Sequence, residues 1–223
     1  MKLGVLLPTF QDSADKALET AHAAHAAGLD GVFAYDHLFP IGSPERPTLA
    51  PMPVLALVAS RTPLVVGTLV ARVALVGVAQ LIEQFRTLGE IAPGRVIAAL
   101  GTGDKLSKPE HDAYGLDYPS DDERQERLGE VAIALREQMP VWIGAGARST
   151  NEIAREYGVA LNLWGVEPSR VASEARAGEV TWAGQLEGDV ASTLRALEAA
   201  GATWAVAGTP APIEDLKRWR QSK

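Results

Sequence analysis

Residues 140–157 read Pro140-Val141-Trp142-Ile143-Gly144-Ala145-Gly146-Ala147-Arg148-Ser149-Thr150-Asn151-Glu152-Ile153-Ala154-Arg155-Glu156-Tyr157. A short apolar run enters a glycine-rich turn, and a segment of helical period follows. That is a strand buried on both faces, then a crossover helix.

Working outward, the same unit recurs along the whole chain. Strand candidates are Lys2–Leu7, Gly31–Ala34, Leu64–Val70, Val96–Leu100, Val141–Gly144, Ala160–Leu163, Val180–Trp182 and Thr203–Ala207. Helix candidates are Ser13–Ala27 (Ser13 as N-cap, Gly28 as C-cap), Pro53–Ser60, Ala79–Ile91, Asp121–Gln138, Thr150–Tyr157, Pro168–Ala177, Asp189–Ala200 and Pro212–Arg220. Alternation alone also fits an open doubly wound sheet, but such sheets normally use about five to seven strands. Eight of each favours an α/β chain folded as a (β/α)8 TIM barrel. No Gly/Ser-rich or Pro-rich linker divides it, so residues 1–223 are expected to form a single domain.

Composition narrows the function classes. A chain of 223 residues buries roughly 70–75% of its unfolded surface and needs no metal or disulfide for a core. With no cysteine, thiolate catalysis and Cys-ligated zinc are excluded. The net charge of −7 comes without a basic stripe, which argues against nucleic acid as a partner. No run approaches the ~20 apolar residues of a membrane span, and the N-terminal apolar run is too short for a signal peptide. A cytoplasmic chain acting on a small molecule is the expectation, with a homodimer as the default assembly.

In a barrel, chemistry sits on the loops that follow the strands. Tyr35-Asp36-His37 follows the second strand. Histidine moves protons near neutral pH, and an adjacent acid can orient its ring. Gly101-Thr102-Gly103-Asp104-Lys105-Leu106-Ser107 follows the fourth, where glycines let a ligand approach the backbone. At Gly144 to Ser149 a helix N-terminus and the charge of Arg148 suit a phosphate. Trp164, Trp182 and Trp204 lie near the ends of consecutive strands and either wall a pocket or pack the barrel. The proline-studded Leu38–Pro53 is either a lid or a surface excursion. Glu19, His22 and His25 have metal-like spacing but occur once, on an outer helix, and read as a solvated face. His111, in the charged stretch Lys108–Asp112, reads as exposed.

Together these pieces resemble the luciferase-like flavin monooxygenase superfamily, in its branch that uses coenzyme F420, a deazaflavin. The resemblance rests on Gly4-Val5-Leu6-Leu7-Pro8, Asp36-His37, Gly67-Thr68-Leu69-Val70-Ala71-Arg72-Val73, Gly101-Thr102-Gly103-Asp104, Pro140-Val141-Trp142-Ile143-Gly144 and Gly201-Ala202-Thr203-Trp204. It implies an oxidoreductase that moves a hydride between the deazaflavin and a small organic substrate. His37 and Asp104 would be catalytic. The cofactor would lie against Asp36, Leu69, Val70, Thr102, Gly103, Ser107, Gly144, Ala145, Gly146, Ala147 and Arg148, with a cis peptide at Leu69-Val70 behind its ring. Arg72, Lys105 and Arg148 would favour the anionic tail of the deazaflavin. Relatives carry a longer segment before Val141, where this chain has only Gln138-Met139-Pro140. Three other readings compete: an FMN-dependent monooxygenase, a non-catalytic flavin or deazaflavin carrier, and a cofactor-free lyase or hydrolase using His37 and Asp104.

Overall fold

The computed structural model describes residues 1–223. Its strands are β1 (Lys2–Leu6), β2 (Gly31–Ala34), β3 (Val65–Thr68), β4 (Ala71–Arg72), β5 (Val96–Gly101), β6 (Val141–Gly144), β7 (Ala160–Trp164), β8 (Val180–Gly184) and β9 (Ala202–Ala207). The helices between and after them are α1 (Asp15–Ala26), α2 (Pro51–Arg61), α3 (Val78–Ile91), α4 (Lys108–Tyr114), α5 (Asp121–Leu135), α6 (Arg148–Glu156), α7 (Pro168–Glu174), α8 (Val190–Ala199) and α9 (Ile213–Gln221).

All pairings are parallel, and the order β3-β2-β1-β9-β8-β7-β6-β5-β4 is closed by β3 pairing with β5. β3 and β4 are two halves of one stave. The single strand expected over Leu64–Val70 breaks at Leu69-Val70, whose peptide bond is cis as the resemblance implied, and pairing resumes at Ala71↔Leu100. Counted so, the sheet has eight staves, and the fold is the expected (β/α)8 barrel.

Alternation along each stave makes two cores. Outward residues such as Leu3, Val5, Val32, Ile143 and Leu161 pack under the helices in the larger cluster. Inward residues form a smaller one: Leu6, Phe33, Leu69, Ile97, Ala99, Trp142, Ala160, Ala183, Trp204 and Val206. Three rings fill the waist, with Phe33 stacked on Trp142 at 5.1 Å and edge-on to Trp204 at 5.7 Å. Gly4 and Gly67 flank Phe33 because nothing larger fits. A Cβ there would come within 2.8 Å and 2.9 Å of the ring. Beneath the rings, at the strands' N-terminal face, lies a cavity of about 580 Å³ lined by Lys2, Arg136, Glu179 and both tryptophans.

Two local expectations fail: α1 has Ala14 rather than Ser13 at its N-cap, with no side-chain cap bond, and His111 is not exposed. Lys108–Asp112 lies in helix α4, with Lys108 and Asp112 exposed but Glu110 and His111 buried. The Asp104 carboxylate caps the 3-10 turn Lys105–Ser107 that leads into it, Pro109 fits its first turn, and Gly115 at φ +63 ends it. His111 is 1% exposed, with Nδ1 2.7 Å from the Asp117 carbonyl oxygen. By contrast Glu19, His22 and His25 are exposed on α1, as expected.

Candidate active site

The C-terminal ends of the strands carry a cup whose floor is built around one buried carboxylate. Asp36 and His37 leave β2, Arg72 ends β4, and Glu110 rises from the first turn of α4 beneath them. Glu110 is 1% exposed. It accepts from the Arg72 guanidinium through both terminal nitrogens, at 3.2 and 2.8 Å, and from the Leu38 backbone N–H at 2.5 Å. His37 Nδ1 lies 2.7 Å from Glu110 Oε1. Asp36 faces differently: its Oδ2 accepts the Arg72 backbone N–H at 2.7 Å. Three separate loops are thereby tied into one unit.

The electrostatics follow from these contacts. Burial pushes the Glu110 carboxyl up. The bonds from His37, Arg72 and Leu38, with the guanidinium charge, outweigh it and hold the group at about 2. For Asp36 burial wins: its carboxyl is raised above the ordinary value despite the N–H and charge of Arg72 and the charge of His37, while Glu110 adds to the rise. Burial pushes the Tyr35 hydroxyl up to about 12.

Aromatic rings wall the cup. Phe10, from the loop after β1, stacks on Tyr35 at 5.7 Å. His37 stands 6.2 Å from each of these two, and Trp164 at the end of β7 is 6.1 Å from Tyr35 and 46% exposed. Of the three expected tryptophans, Trp164 alone reaches this rim. Trp182 points outward and donates to the Val166 carbonyl at 2.9 Å, while Trp204 plugs the waist. Side chains alternate between the two faces of a strand, which turns Trp182 outward, and Trp204 lies near the N-terminal end of β9, away from this rim.

The remaining expected residues form two loops. Leu69 is buried in the inner core, and Val70 stands against Gly101 and Gly144. Thr102 and Gly103 lead to Asp104, which is exposed and engaged as a cap, accepting from Leu106 N and Ser107 N. Ser107 is 2% exposed and donates to the Asp104 carbonyl. The structure therefore joins Asp36, His37 and Arg72 but leaves Asp104 on the solvent side of its loop. The acid that holds the histidine ring is Glu110 rather than the adjacent Asp36.

The turn after β6 is held at its root by Ala145 N–H donating to the Asn162 carbonyl at 2.8 Å. Beyond it the backbone N–H groups of Gly146, Ala147, Arg148, Ser149 and Thr150 find no acceptor in the protein, and α6 has no side-chain cap. This is an anion-binding geometry whether or not Arg148 takes part. The Arg148 side chain is 92% exposed and pairs with Glu152 at 2.7 Å. Arg72, expected to attract a ligand's anionic tail, is instead buried and engaged by Glu110.

Sequence reasoning missed Glu110. Its helix was signalled by Asp104, Pro109 and Gly115, but its partners lie 38 to 73 residues away. Phe10 was missed as well, since only the closed barrel sets it beside Tyr35.

Known proteins share parts of this design. The F420-dependent glucose-6-phosphate dehydrogenase of Nakamurella multipartita is 35% identical over 128 residues, covering 56% of this chain and 36% of that protein. The F420-dependent hydroxymycolic acid dehydrogenase of Mycobacterium tuberculosis is 33% identical, covering 64% of this chain and 38% of its own length. The chain thus spans well under half of these curated relatives. An F420-dependent secondary alcohol dehydrogenase in complex with an F420–acetone adduct superposes with a TM-score of 0.81 over 97% of both chains, at 15% identity. The coenzyme F420 dependent tetrahydromethanopterin reductase of Methanopyrus kandleri does so at 0.74, over 97% of each chain and 14% identity. These two likenesses establish the barrel. No helix is long and apolar enough to cross a membrane. A family match extends over residues 1–139, through Asp36, His37, Arg72 and Glu110, and the chain belongs to the luciferase-like monooxygenase family.

Proposed function

We propose that the chain is a deazaflavin-dependent oxidoreductase acting on a small hydroxyl-bearing substrate, with residues 1–223 working as one unit. The observation that carries this reading is His37, seated on a buried carboxylate at the floor of an aromatic cup. The F420 dependence of the curated relatives that align with this chain supports coenzyme F420 over FMN.

The residues present fit such a group. Five unpaired backbone N–H groups at 146–150 suit its phosphate. Val70, with Phe10, Tyr35 and Trp164 around the cup, offers apolar faces to a flat ring. When bound, the deazaflavin supplies a two-electron hydride acceptor or donor. The chain does the rest. The aromatic wall orients the substrate and limits water at the reacting carbon. In the oxidative direction the carbinol C–H electrons leave as hydride, and His37 Nε2 takes the O–H proton, leaving a carbonyl product. Thr102, Gly103 and Ser107 shape the neighbouring loop, and Asp104 holds that loop rather than moving a proton.

Absorbance and fluorescence titration of the purified chain with F420, FMN and FAD tests this directly. Tight F420 binding, with hydroxyl-dependent reduction of the cofactor, is the expected result. Micromolar FMN binding with no F420 binding would replace the reading with the flavin one.

A further inference from the structure

Four hydrogen-bond donors converge on Glu110: Leu38 N–H, two guanidinium nitrogens of Arg72, and the His37 ring. The backbone N–H and the guanidinium can only donate, and an ionised carboxylate can only accept. The imidazole alone has a choice. Its Nδ1 is an acceptor or a donor according to tautomer, and beside Glu110 only the donor works.

We infer that Glu110 is a positioning residue that fixes His37 in its Nδ1–H tautomer, leaving Nε2 as the single ring atom that exchanges a proton at the mouth. The inference rests on reading His37 as the proton-handling group. Nε2 fits that task, since it has no partner in the protein yet is not sealed from the cup. Asp36, although next in sequence, is occupied with the Arg72 backbone. The carboxylate that does hold the ring stays ionised far below neutral pH.

The seat is rigid because α4 is gripped from its other side. The buried His111 ring reaches the Asp117 carbonyl and meets Tyr118 edge-on at 5.1 Å. Tyr118 in turn donates to the Asp104 carbonyl at 2.9 Å. The helix cannot roll away from His37 without breaking these contacts.

Glu110→Gln makes the idea specific. The amide has one oxygen and one NH2 group, and its NH2 must face a group able to accept. Neither Arg72 nor the Leu38 N–H can do so. The imidazole can, by moving its own proton to Nε2. The substitution therefore flips the tautomer and deprives the mouth of its proton acceptor.

Nitrogen-15 NMR of the ligand-free, histidine-labelled chain reads this without any activity. The chain has four histidines, and the His37 signal is identified by its loss in His37→Gln. Neutral His37 should show Nδ1–H in the wild type and Nε2–H in Glu110→Gln. A wild-type Nε2–H tautomer, or an unchanged tautomer in the variant, would overturn the inference. If the variant does not fold, the wild-type spectrum alone decides. With an active substrate, Glu110→Gln should lower kcat by roughly 10²–10⁴ while leaving cofactor affinity unchanged. An expected tautomer in a chain that binds no F420 would refute the proposed function and leave the positioning role intact.

Discussion

Val70 and Gly101 interlock at the mouth of the barrel: a Cβ on residue 101 would lie 2.5 Å from Val70 Cγ2. Valine is β-branched and stiff, so it cannot swing aside. Gly101→Ala should cost about 1–3 kcal/mol through overpacking. Adding Val70→Ala should recover most of that loss. Denaturant unfolding of the four members of the cycle measures it, and strictly additive costs would show that the two residues do not meet.

His37 carries the chemical prediction. His37→Ala should lower kcat by roughly 10²–10⁴ and leave the F420 dissociation constant nearly unchanged. Steady-state rates paired with a cofactor titration separate the two. Wild-type turnover would reduce His37 to a loop residue.

At the turn after β6, charge and backbone can be tested apart. Arg148 is 92% exposed and already paired, so Arg148→Ala should weaken cofactor binding by less than about 1 kcal/mol. Arg148→Pro also removes one of the unpaired N–H groups. Proline suits the first helical position, and Ala147 at φ −91, ψ 160 already has the backbone that precedes a proline. Its affinity should fall a further tenfold, about 1.4 kcal/mol, through one lost charge-assisted bond. Equal affinities for the two variants would place the phosphate elsewhere.

The buried carboxylate also predicts a pH dependence. Folding lowers the Glu110 value from 4.5 to about 2, so its stabilisation is present above 4.5 and is lost as pH falls through about 2. Asp36, raised by burial, acts in the opposite sense and gains stability on protonation. The Glu110→Gln chain should therefore show a flatter stability curve between pH 5 and about 2 than the wild type. Glu110→Ala, which leaves Arg72 buried and unpaired, should cost about 3–5 kcal/mol at neutral pH. Parallel curves for the wild type and the glutamine variant would contradict the assignment.

The barrel was legible because its signals are local. Apolar runs such as Val141–Ile143 and the helix stop at Gly28, φ +72, can be read from a few neighbours. The break at Leu69-Val70 cannot be read from periodicity and came through family resemblance. The floor of the cup was half legible. Asp36-His37 stood out at the end of a strand, whereas Glu110 looked like one charge among several on a solvated stretch. Its burial depends on α4 folding back across β2 and β4, a tertiary fact with no short-range mark. Arg148 stood out by its place beside a glycine-rich turn, and its side chain is 92% exposed and paired with Glu152, a pairing that spacing i,i+4 allows but does not dictate.

Phe33, Trp142 and Trp204 close the barrel at its waist, with exposures of 0%, 2% and 5%. No ligand can leave the cup through the barrel's axis, so in the proposed reaction both partners come and go by the face where Trp164 stands. Where one partner lies over the other, the deeper has to arrive first and depart last, and turnover should then follow a compulsory order. A non-reacting analogue of the outer partner would then act as a cork. It should slow escape of the inner one in proportion to its own residence time, even if the two never touch.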